Sequence, residues 1–369
     1  MAQRLTINYS KKPCYDIIFS QNFQDLALEL EALEVEKRRV CIITDSTVEK
    51  LYAEEIMHLI KNKCRKISVF SFPSGEASKT LDTVQKAYTF LIEEGFDRKD
   101  ILIALGGGVV GDLTGFTAAT YLRGIDFIQI PTTLLAQADS SIGGKTGVDL
   151  DGYKNMVGAF YMPKLVYMNV SVLKTLEERQ YFSGFAEIMK HGLIRDSVFY
   201  VWLLENMYEI CDRDPDTLEE MVIRSSNIKK TVVEKDPMEQ GERALLNFGH
   251  TIGHALEKAK NFALYHGECV ALGCVAAAYI SWKHELLTMD EYYEIRDMFV
   301  PFQLPISIDH IDPEEILRLT KSDKKMDAGK IKFILLKKVG KAVIDTSVTD
   351  DDIRNAIKEI YFSDEDMTE

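Results

Sequence analysis

Up to about residue 170 the chain alternates between short β-rich runs and helical stretches, and this alternation limits the possible folds more than any other feature. The candidate strands are residues 5–9, 15–20, 39–44, 66–72, 101–105, 126–130 and 165–169. The amphipathic stretches between them include residues 23–33, 47–61 and 80–94. Apolar strands that alternate with helices are typical of a parallel sheet covered on both faces. We therefore predict an N-terminal α/β domain with a Rossmann-like parallel sheet.

The β signals nearly vanish after about residue 171, which divides the chain in two. The later stretches with helical patterns are residues 178–193, 197–210, 215–235, 244–260, 266–285 and 289–300. Two short β-like runs, 332–337 and 342–345, precede a final helix near 350–361. Single cores seldom grow beyond about 250–300 residues, so a chain of 369 residues favours two domains. We place an α/β domain at residues 1–175 and a mostly α-helical domain at residues 176–369.

Charge and cysteine content exclude several classes of protein. The net charge of -14 argues against a nucleic acid partner, because such binding depends on a positive surface. The six cysteines form no Cys-x-x-Cys pair and read as buried thiols in a reducing compartment. No apolar run approaches the roughly 20 residues of a membrane span, and residues 1–20 do not resemble a signal peptide. We expect a cytoplasmic protein without a membrane or nucleic acid partner.

A glycine turn follows the candidate strand at 101–105 and opens a helical stretch. Gly106, Gly108 and Gly111 satisfy the Gly-x-Gly-x-x-Gly pattern, which lets a pyrophosphate approach backbone N–H groups at a helix N-terminus. The turn comes after four or five strands rather than the first, and no acid ends the next strand. Asp45 and Glu76 each follow another strand and could bind the ribose instead. A dinucleotide site is the prediction, and a tight turn without a ligand is the alternative.

The segment after residue 131 resembles a phosphate-binding P-loop only superficially. Gly-Gly-Lys145-Thr matches the end of that motif, but the position of its first glycine is Asp139. A P-loop also follows its strand directly, whereas Lys145 lies about fifteen residues beyond Ile130. We predict a long loop that carries Asp139, Lys145, Lys154 and Asn155 at the carboxyl edge of the sheet, where α/β proteins bind ligands.

Four polar residues in the helical half have the spacing of one helix face. Arg243, Asn247, His250 and His254 lie 4, 3 and 4 residues apart, among apolar neighbours. A buried polar face is costly unless it binds something, so a metal or an anionic substrate is expected. With one glutamate, the spacing favours His250 and His254 as the zinc-ligand pair and leaves His266 as a spare. A half-exposed helix with chance histidines is the alternative.

Other charges in this half are less distinctive. Glu187 and Lys190 lie three residues apart among apolar residues, which fits either a solvated ion pair or a buried carboxylate that needs a metal. Lys229, Lys324 and Lys325 fit either surface charge or ligand binding.

Taken together, the motifs resemble those of the 3-dehydroquinate synthase family. They include Gly-Gly-Gly-Val-Val-Gly-Asp at 106–112, the 139–147 segment, and Asn-Phe-Gly-His-Thr-Ile-Gly-His at 247–254. The other matching segments are residues 121–124, 131–136, 154–160, 173–176, 186–190, 266–268 and 323–325. The resemblance covers nearly the whole chain in order, and it implies an active site in the cleft between the two domains.

The resemblance implies a role for each matching residue. The ligands of a divalent metal, zinc or cobalt, would be Glu187, His250 and His266, which moves His254 to substrate or proton handling. NAD would be bound by Asp45, Glu76, Lys79, Gly106, Gly107, Gly108, Val109, Val110, Gly111, Asp112, Thr132, Thr133, Lys145, Lys154, Val172, Leu173, Lys174 and Thr175. The substrate would contact Asp139, Lys145, Asn155, Lys190, Lys229, Arg243, Asn247, His254 and one or both of Lys324 and Lys325. Arg123 would reach the phosphate site of a neighbouring subunit, which implies a homodimer.

The implied reaction turns a sugar-phosphate acid, 3-deoxy-D-arabino-heptulosonate 7-phosphate, into 3-dehydroquinate and phosphate in the shikimate pathway. It would proceed by transient oxidation with NAD, phosphate elimination, re-reduction and intramolecular aldol closure. One alternative is another sugar-phosphate cyclase, such as one making 2-deoxy-scyllo-inosose, or a related polyol dehydrogenase. The other is a catalytically silent NAD-binding homologue.

The chain departs from the family pattern just before Lys154. The family commonly has Asn-His-Pro-x-Gly there, and this chain has Asp149-Leu150-Asp151-Gly152-Tyr153. Lys154 and Asn155 are kept, so the departure concerns the path of the backbone beside the predicted nucleotide site.

Overall fold

The computed structural model describes residues 3–151, 153–322, 326–327 and 330–362. Their contacts divide the chain into two compact units. The first contains Met1–Leu176 and Leu218–Pro237, and the second contains Glu177–Thr217 and Met238–Glu369. The first change of unit lies next to the boundary predicted at residue 175. Leu218–Pro237, which the sequence analysis placed in the helical domain, groups with the first unit.

The first unit is built on a mostly parallel sheet. Its strands are β1 (Gln3–Tyr9), β2 (Lys12–Ser20), β3 (Arg39–Asp45), β4 (Lys66–Phe72), β5 (Ile101–Gly106), β6 (Asp126–Pro131), β7 (Lys145–Leu150), β8 (Tyr153–Phe160) and β9 (Leu165–Asn169). The main sheet has the order β1-β2-β9-β6-β5-β3-β4, in which only β1 and β2 pair antiparallel. The predicted Rossmann-like parallel sheet is confirmed.

Helices cover both faces of this sheet, as the runs of apolar strand residues predict. Those of the first part of the chain are α1 (Leu26–Glu31), α2 (Glu54–Ile60), α3 (Leu81–Glu93) and α4 (Gly108–Thr120). Val40 and Ile42 of β3 belong to the core that α1 and α2 cover, whereas Cys41 and Ile43 belong to the core under α3 and α4. The alternation places successive side chains in opposite cores.

Strands β7 and β8 form a separate antiparallel hairpin where the sequence analysis predicted a long loop. That prediction was wrong because the segment is rich in glycine and polar residues, which usually mark loops. The glycines instead allow close contact. A Cβ on Gly158 would lie 2.3 Å from the carbonyl oxygen of Thr146 in the facing strand.

The second unit is largely helical. The remaining helices of the chain are α5 (Glu178–Arg195), α6 (Ser197–Glu205), α7 (Met207–Cys211), α8 (Pro215–Lys235), α9 (His250–Ala259), α10 (His266–Lys283), α11 (Met289–Asp297), α12 (Pro313–Ser322) and α13 (Asp350–Ile360). Most of α8 belongs to the first unit, and α12 is a helix that the sequence analysis missed. Short strands β10 (Met326–Asp327), β11 (Lys330–Ile331), β12 (Phe333–Lys338) and β13 (Lys341–Asp345) pair as two hairpins. Among the described residues, no helix has the length and apolarity that crossing a bilayer requires.

The polar face predicted from Arg243 to His254 is not one α-helix. A 3₁₀ helix spans Glu242–Asn247, and α9 begins only at His250. Gly249 breaks the path with φ of 79°, a left-handed conformation that glycine adopts without strain. The break is packed tightly, because a Cβ on Gly273 of α10 would lie 1.8 Å from the carbonyl oxygen of Gly249.

We expect Gly273→Ala to lower the free energy of unfolding of the second unit by about 1–3 kcal/mol or more, because the added methyl must push α9 and α10 apart. Urea unfolding followed by the fluorescence of Trp202 and Trp282 measures this, since both tryptophans lie in that unit. The control is Val198→Ile, which adds a methyl to a side chain that is 72% exposed and should change stability by less than about 0.5 kcal/mol. Equal losses in the two variants would contradict this explanation.

Candidate active site

Three side chains from three helices meet in the second unit. Glu187 comes from the middle of α5, and His250 and His266 are the first residues of α9 and α10. One carboxylate oxygen of Glu187, Oε1, lies 3.3 Å from Nε2 of His250 and 3.3 Å from Nε2 of His266. Candidate ligand atoms of the three lie within 4.8 Å of one another. A carboxylate oxygen with two imidazole nitrogens is a suitable donor set for zinc or cobalt.

Two of the three groups, Glu187 and His250, have the protonation state of a metal ligand, whereas His266 must lose a proton to bind a metal. Burial opposes ionisation of Glu187, but the charge of Lys190 and the hydrogen bonds from His250 and His266 outweigh it and hold the pKa of this carboxyl well below its usual range. Burial lowers the pKa of His250 to about 3, so its imidazole is neutral, as a metal ligand must be. Burial also opposes protonation of His266, but the carboxylates of Glu187 and Glu257 outweigh it and raise its pKa to about 9.

The second ring nitrogen of each of the two histidines, Nδ1, also has a polar neighbour. Nδ1 of His250 lies 3.0 Å from the carbonyl oxygen of Phe248, which leaves Nε2 to face Glu187. Nδ1 of His266 lies 3.8 Å from Oε2 of Glu257, a carboxylate that is almost fully buried. Such outer partners fix the ring orientation and tautomer of histidine ligands. Glu257 was missed in the sequence, where it stands in an ordinary helical Leu-Glu-Lys run.

The pair of ligands inferred from spacing, His250 with His254, is not formed. Among the described residues, His254 groups with Glu257 and His266, and no candidate metal group contains both His250 and His254. The ring of His254 lies 5.2 Å from that of His250 and 6.0 Å from that of His266, measured between centroids. His254 is therefore a neighbour of the cluster.

Three other predicted polar residues of the helical half are close in sequence to Glu187 or His250. The ammonium group of Lys190 forms a buried ion pair with Glu187, so the solvated alternative is excluded. Arg243 is 2% exposed. Asn247 donates from Nδ2 to Oε1 of Glu239 at 2.9 Å, and Glu239 is a second acid that the sequence analysis did not single out.

In the first unit, most of the predicted nucleotide residues lie at the carboxyl ends of the parallel strands. Gly106 ends β5, Gly107 caps α4 and Gly108 begins it, so the N-terminus of α4 points to this edge. The glycines also permit close packing, since a Cβ on Gly106 would lie 2.4 Å from Val110 and one on Gly107 would lie 2.9 Å from Thr133. Free N–H groups in the first turn of a helix are a good site for a phosphate.

The other nucleotide candidates surround this turn at the same edge. Asp45 ends β3, and its Oδ1 accepts from the backbone N–H groups of Thr47 and Val48 at 2.8 and 3.1 Å. Thr132 and Thr133 directly follow β6. The 3₁₀ helix Val170–Thr175, which contains Val172, Leu173, Lys174 and Thr175, directly follows β9.

A network of charged and polar side chains joins the segment after β4 and the first turns of α4 to the β7–β8 hairpin. Nζ of Lys79 donates to Oδ2 of Asp112 at 2.7 Å and to Oδ1 of Asn155 at 2.6 Å. Glu76 lies 3.9 Å from Lys79 and 3.8 Å from Lys154. Burial disfavours the charge on Lys79, but Asp112 and Glu76 outweigh it and raise the pKa of this lysine.

The atypical segment before Lys154 is part of the same network. Oδ1 of Asp149 accepts from the backbone N–H of Asn155 at 2.7 Å, and the backbone N–H of Asp149 donates to the carbonyl oxygen of Lys79 at 2.9 Å. Asn155 has φ of 54°, a conformation that needs such support in a residue other than glycine. Asp149 thus fixes the residue whose side chain Lys79 contacts.

The remaining predicted residues fall in three places. Nζ of Lys229, on α8, donates to Oδ1 of Asp139 at 2.5 Å, so these two pair within the first unit. Lys145 begins β7 and is exposed, and Arg123 ends a 3₁₀ turn with φ of 68°. Lys324 and Lys325 lie outside the described residues.

Two solved structures share this fold over nearly the whole chain. One is 2-epi-5-epi-valiolone synthase from Streptomyces hygroscopicus subsp. jinggangensis with NAD+ and Zn2+ bound, with a TM-score of 0.88 and 25% identity over 96% of this chain and 99% of that one. The other is a 2-deoxy-scyllo-inosose synthase complexed with carbaglucose-6-phosphate, NAD+ and Co2+, with a TM-score of 0.86 and 26% identity over 97% and 100%. The fold is that of the sugar-phosphate cyclases.

The sequence narrows this class to one family. The sequence-family model of the 3-dehydroquinate synthase N-terminal domain matches residues 69–183. The family model of the C-terminal domain matches residues 184–326. The 3-dehydroquinate synthase of Acetivibrio thermocellus is 43% identical over 95% of this chain and 97% of its own, and that of Nitrosomonas europaea is 45% identical over 83% of each. The chain belongs to the 3-dehydroquinate synthase family.

We expect Asp149→Ala to speed hydrogen exchange at the Asn155 amide roughly fivefold, because one hydrogen bond contributes about 1 kcal/mol. Mass spectrometry of a peptide covering β8 measures this exchange. Asp149→Asn keeps an oxygen that can accept the same hydrogen bond and should exchange like the unmodified chain. Unchanged exchange in Asp149→Ala would mean that this carboxylate does not hold the turn.

Proposed function

We propose that this chain is a 3-dehydroquinate synthase, a carbon–oxygen lyase that converts 3-deoxy-D-arabino-heptulosonate 7-phosphate to 3-dehydroquinate and phosphate in the shikimate pathway of aromatic amino acid biosynthesis. The observation that carries the proposal is the meeting of Glu187, His250 and His266 in a chain whose family relatives are 40–45% identical over most of its length. The same chain carries a helix N-terminus at the carboxyl edge of its sheet, where dinucleotides bind.

The proposed cofactors are NAD and one divalent metal. NAD would be held by the carboxyl edge of the sheet in the first unit, and when bound it supplies a reversible hydride acceptor. Zinc or cobalt would be held by Glu187, His250 and His266, and it supplies Lewis acidity and a template for oxygen ligands. Two structures of related cyclases with NAD and Zn2+ or Co2+ support this choice.

The substrate carries a phosphate and a carboxylate, and the chain supplies cations for both. In this proposal Arg243, Lys190 and Lys145 recognise these anions, because charge-assisted hydrogen bonds to them are the strong ones. Arg243 and Lys190 are almost fully buried, which strengthens their pairing with an anion. Lys229, Lys324 and Lys325 stay candidates for the same role.

The uncharged and acidic residues would orient the substrate hydroxyl groups. Asp139 and Asn155 would do so from the first unit, and Asn247 and His254 from the second. His254 would hold or pass a proton at an imidazole nitrogen, beside the cluster that binds the substrate oxygen atoms. The substrate loses phosphate and gains a ring C–C bond, and correct orientation of its reacting groups accounts for a large part of such catalysis.

Assembly and location complete the proposal. We propose a homodimer in which Arg123 reaches the phosphate site of the second copy. Six free cysteines, three of them fully buried, support a reducing compartment such as the cytoplasm. Residues 1–175 would bind NAD, and residues 176–369 would bind the metal and most of the substrate.

The second candidate is another sugar-phosphate cyclase, favoured by the fold shared with 2-deoxy-scyllo-inosose synthase. Lys190, Arg243 and Asn247 distinguish the two, since they suit a substrate with a carboxylate. A catalytically silent homologue would have no use for an intact metal set.

The direct test supplies purified protein with NAD, Zn2+ or Co2+ and the heptulosonate phosphate. We expect one dehydroquinate for each phosphate released and no net NADH, measured by a phosphate assay, chromatography and absorbance at the NADH band. Phosphate release without dehydroquinate, or accumulation of NADH, would overturn the proposal. Turnover of glucose 6-phosphate instead would favour the second candidate.

We expect His250→Ala to weaken metal binding by more than about 100-fold, because loss of even an outer partner of a ligand costs about 10–100-fold. Competition with a chelating dye measures the dissociation constant. His310→Ala is the matched control, since that side chain is 77% exposed and lies outside the cluster. Equal affinities in the two variants would remove His250 from the ligand set.

A further inference from the structure

One face of α5 contacts the first turn of α10 at three successive points. Arg179, Ser183 and Glu187 are spaced four residues apart, so they lie on the same side of α5. They meet, in order, Glu268, Gly267 and His266 of α10. Two of the three proposed metal ligands, Glu187 and His266, thus form the last of these contacts.

The first contact is a bidentate ion pair. Nε of Arg179 donates to Oε1 of Glu268 at 2.6 Å, and Nη2 donates to Oε2 at 2.8 Å. The guanidinium carbon also lies 4.5 Å from the centroid of the Tyr265 ring. Oε2 of Glu268 in turn accepts from the backbone N–H of Tyr265 at 2.7 Å. Tyr265, which precedes His266, and Glu268, two residues after it, therefore both contact Arg179.

The second contact brings the two helix backbones together. Oγ of Ser183 accepts from the backbone N–H of Gly267 at 3.0 Å. A Cβ on Gly267 would lie 1.8 Å from the carbonyl oxygen of Ser183, so only glycine permits this approach. Gly267 follows His266 directly, and its position determines where the imidazole can reach.

We propose that Arg179 and Ser183 are positioning residues for the metal site. Through Glu268 and Gly267 they fix the first turn of α10 against α5, so that Nε2 of His266 faces the carboxylate of Glu187. Neither residue belongs to the proposed ligands of the metal or to the proposed substrate contacts. The inference rests on the metal ligands of the proposed function. A metal site requires its ligand atoms to be held close to their bonding geometry before the ion binds.

The test measures binding of Co2+ by the full-length protein, through competition with a chelating dye and through the visible absorption of the bound ion. We expect Arg179→Gln to weaken Co2+ binding about 10–100-fold and to change the visible spectrum, because a misplaced His266 alters the coordination geometry. Ser183→Ala should weaken binding several-fold in the same direction. The double variant Arg179→Gln/Glu268→Gln should cost about as much as Arg179→Gln alone, since the two side chains act as one pair.

Arg296→Gln is the matched control. Arg296 also pairs with a carboxylate, that of Asp297 at 2.8 Å, and also lies over a tyrosine ring, that of Tyr293 at 4.7 Å. It should leave the affinity and the spectrum unchanged. Thermal unfolding of the metal-free variants separates positioning from general stability.

The outcomes are distinct. If the unmodified protein and Arg296→Gln bind no Co2+, the proposed metal set fails. If they bind it, and Arg179→Gln and Ser183→Ala keep its affinity within twofold with the same spectrum, the positioning role is overturned. A loss of affinity that follows only the loss of thermal stability, with an unchanged spectrum, also overturns it. Should Arg179→Gln fail to fold, Ser183→Ala and the milder Arg179→Lys decide the question.

Discussion

Glu187 is the constraint around which the second unit is arranged. A carboxylate that is 1% exposed loses nearly all of its hydration, and an unpaired ion in that place would cost several kcal/mol. Lys190 on the same helix and two histidines at the starts of two other helices supply partners for this carboxylate. Three helices must therefore meet at one point, and the tight glycine contacts between them are what allow this approach.

The sheet of the first unit follows from a simpler rule. Parallel strands end at a common edge, so the segments after β3, β4, β5, β6 and β9 are gathered there although they are far apart in the chain. Short apolar, β-rich runs predicted β3, β4, β5, β6 and β9 to within one residue at each end, and the resemblance predicted which strand ends carry polar groups. Most helices of both units were also predicted from amphipathic or apolar patterns, but α12 was missed and the stretch predicted at 197–210 is divided into α6 and α7.

Sequence patterns failed where the backbone departs from regular periods. Spacing alone suggested one helix from Arg243 to His254, but the left-handed Gly249 divides it, and a period of 3.6 residues cannot reveal such a break. The hairpin at β7 and β8 was predicted as a loop, because its glycines serve close strand contact instead of turns. Glu239 and Glu257 gave no signal at all, since their importance arises only from residues brought close by folding.

The grouping of Leu218–Pro237 with the first unit has a consequence for how the chain can be divided. The polypeptide changes unit three times, after Leu176, after Thr217 and after Pro237, so neither unit is a continuous stretch of sequence. A fragment that stops at residue 176 would retain Asp139 but lack Lys229, its ion-pair partner. The first unit becomes complete only after part of the second has been made.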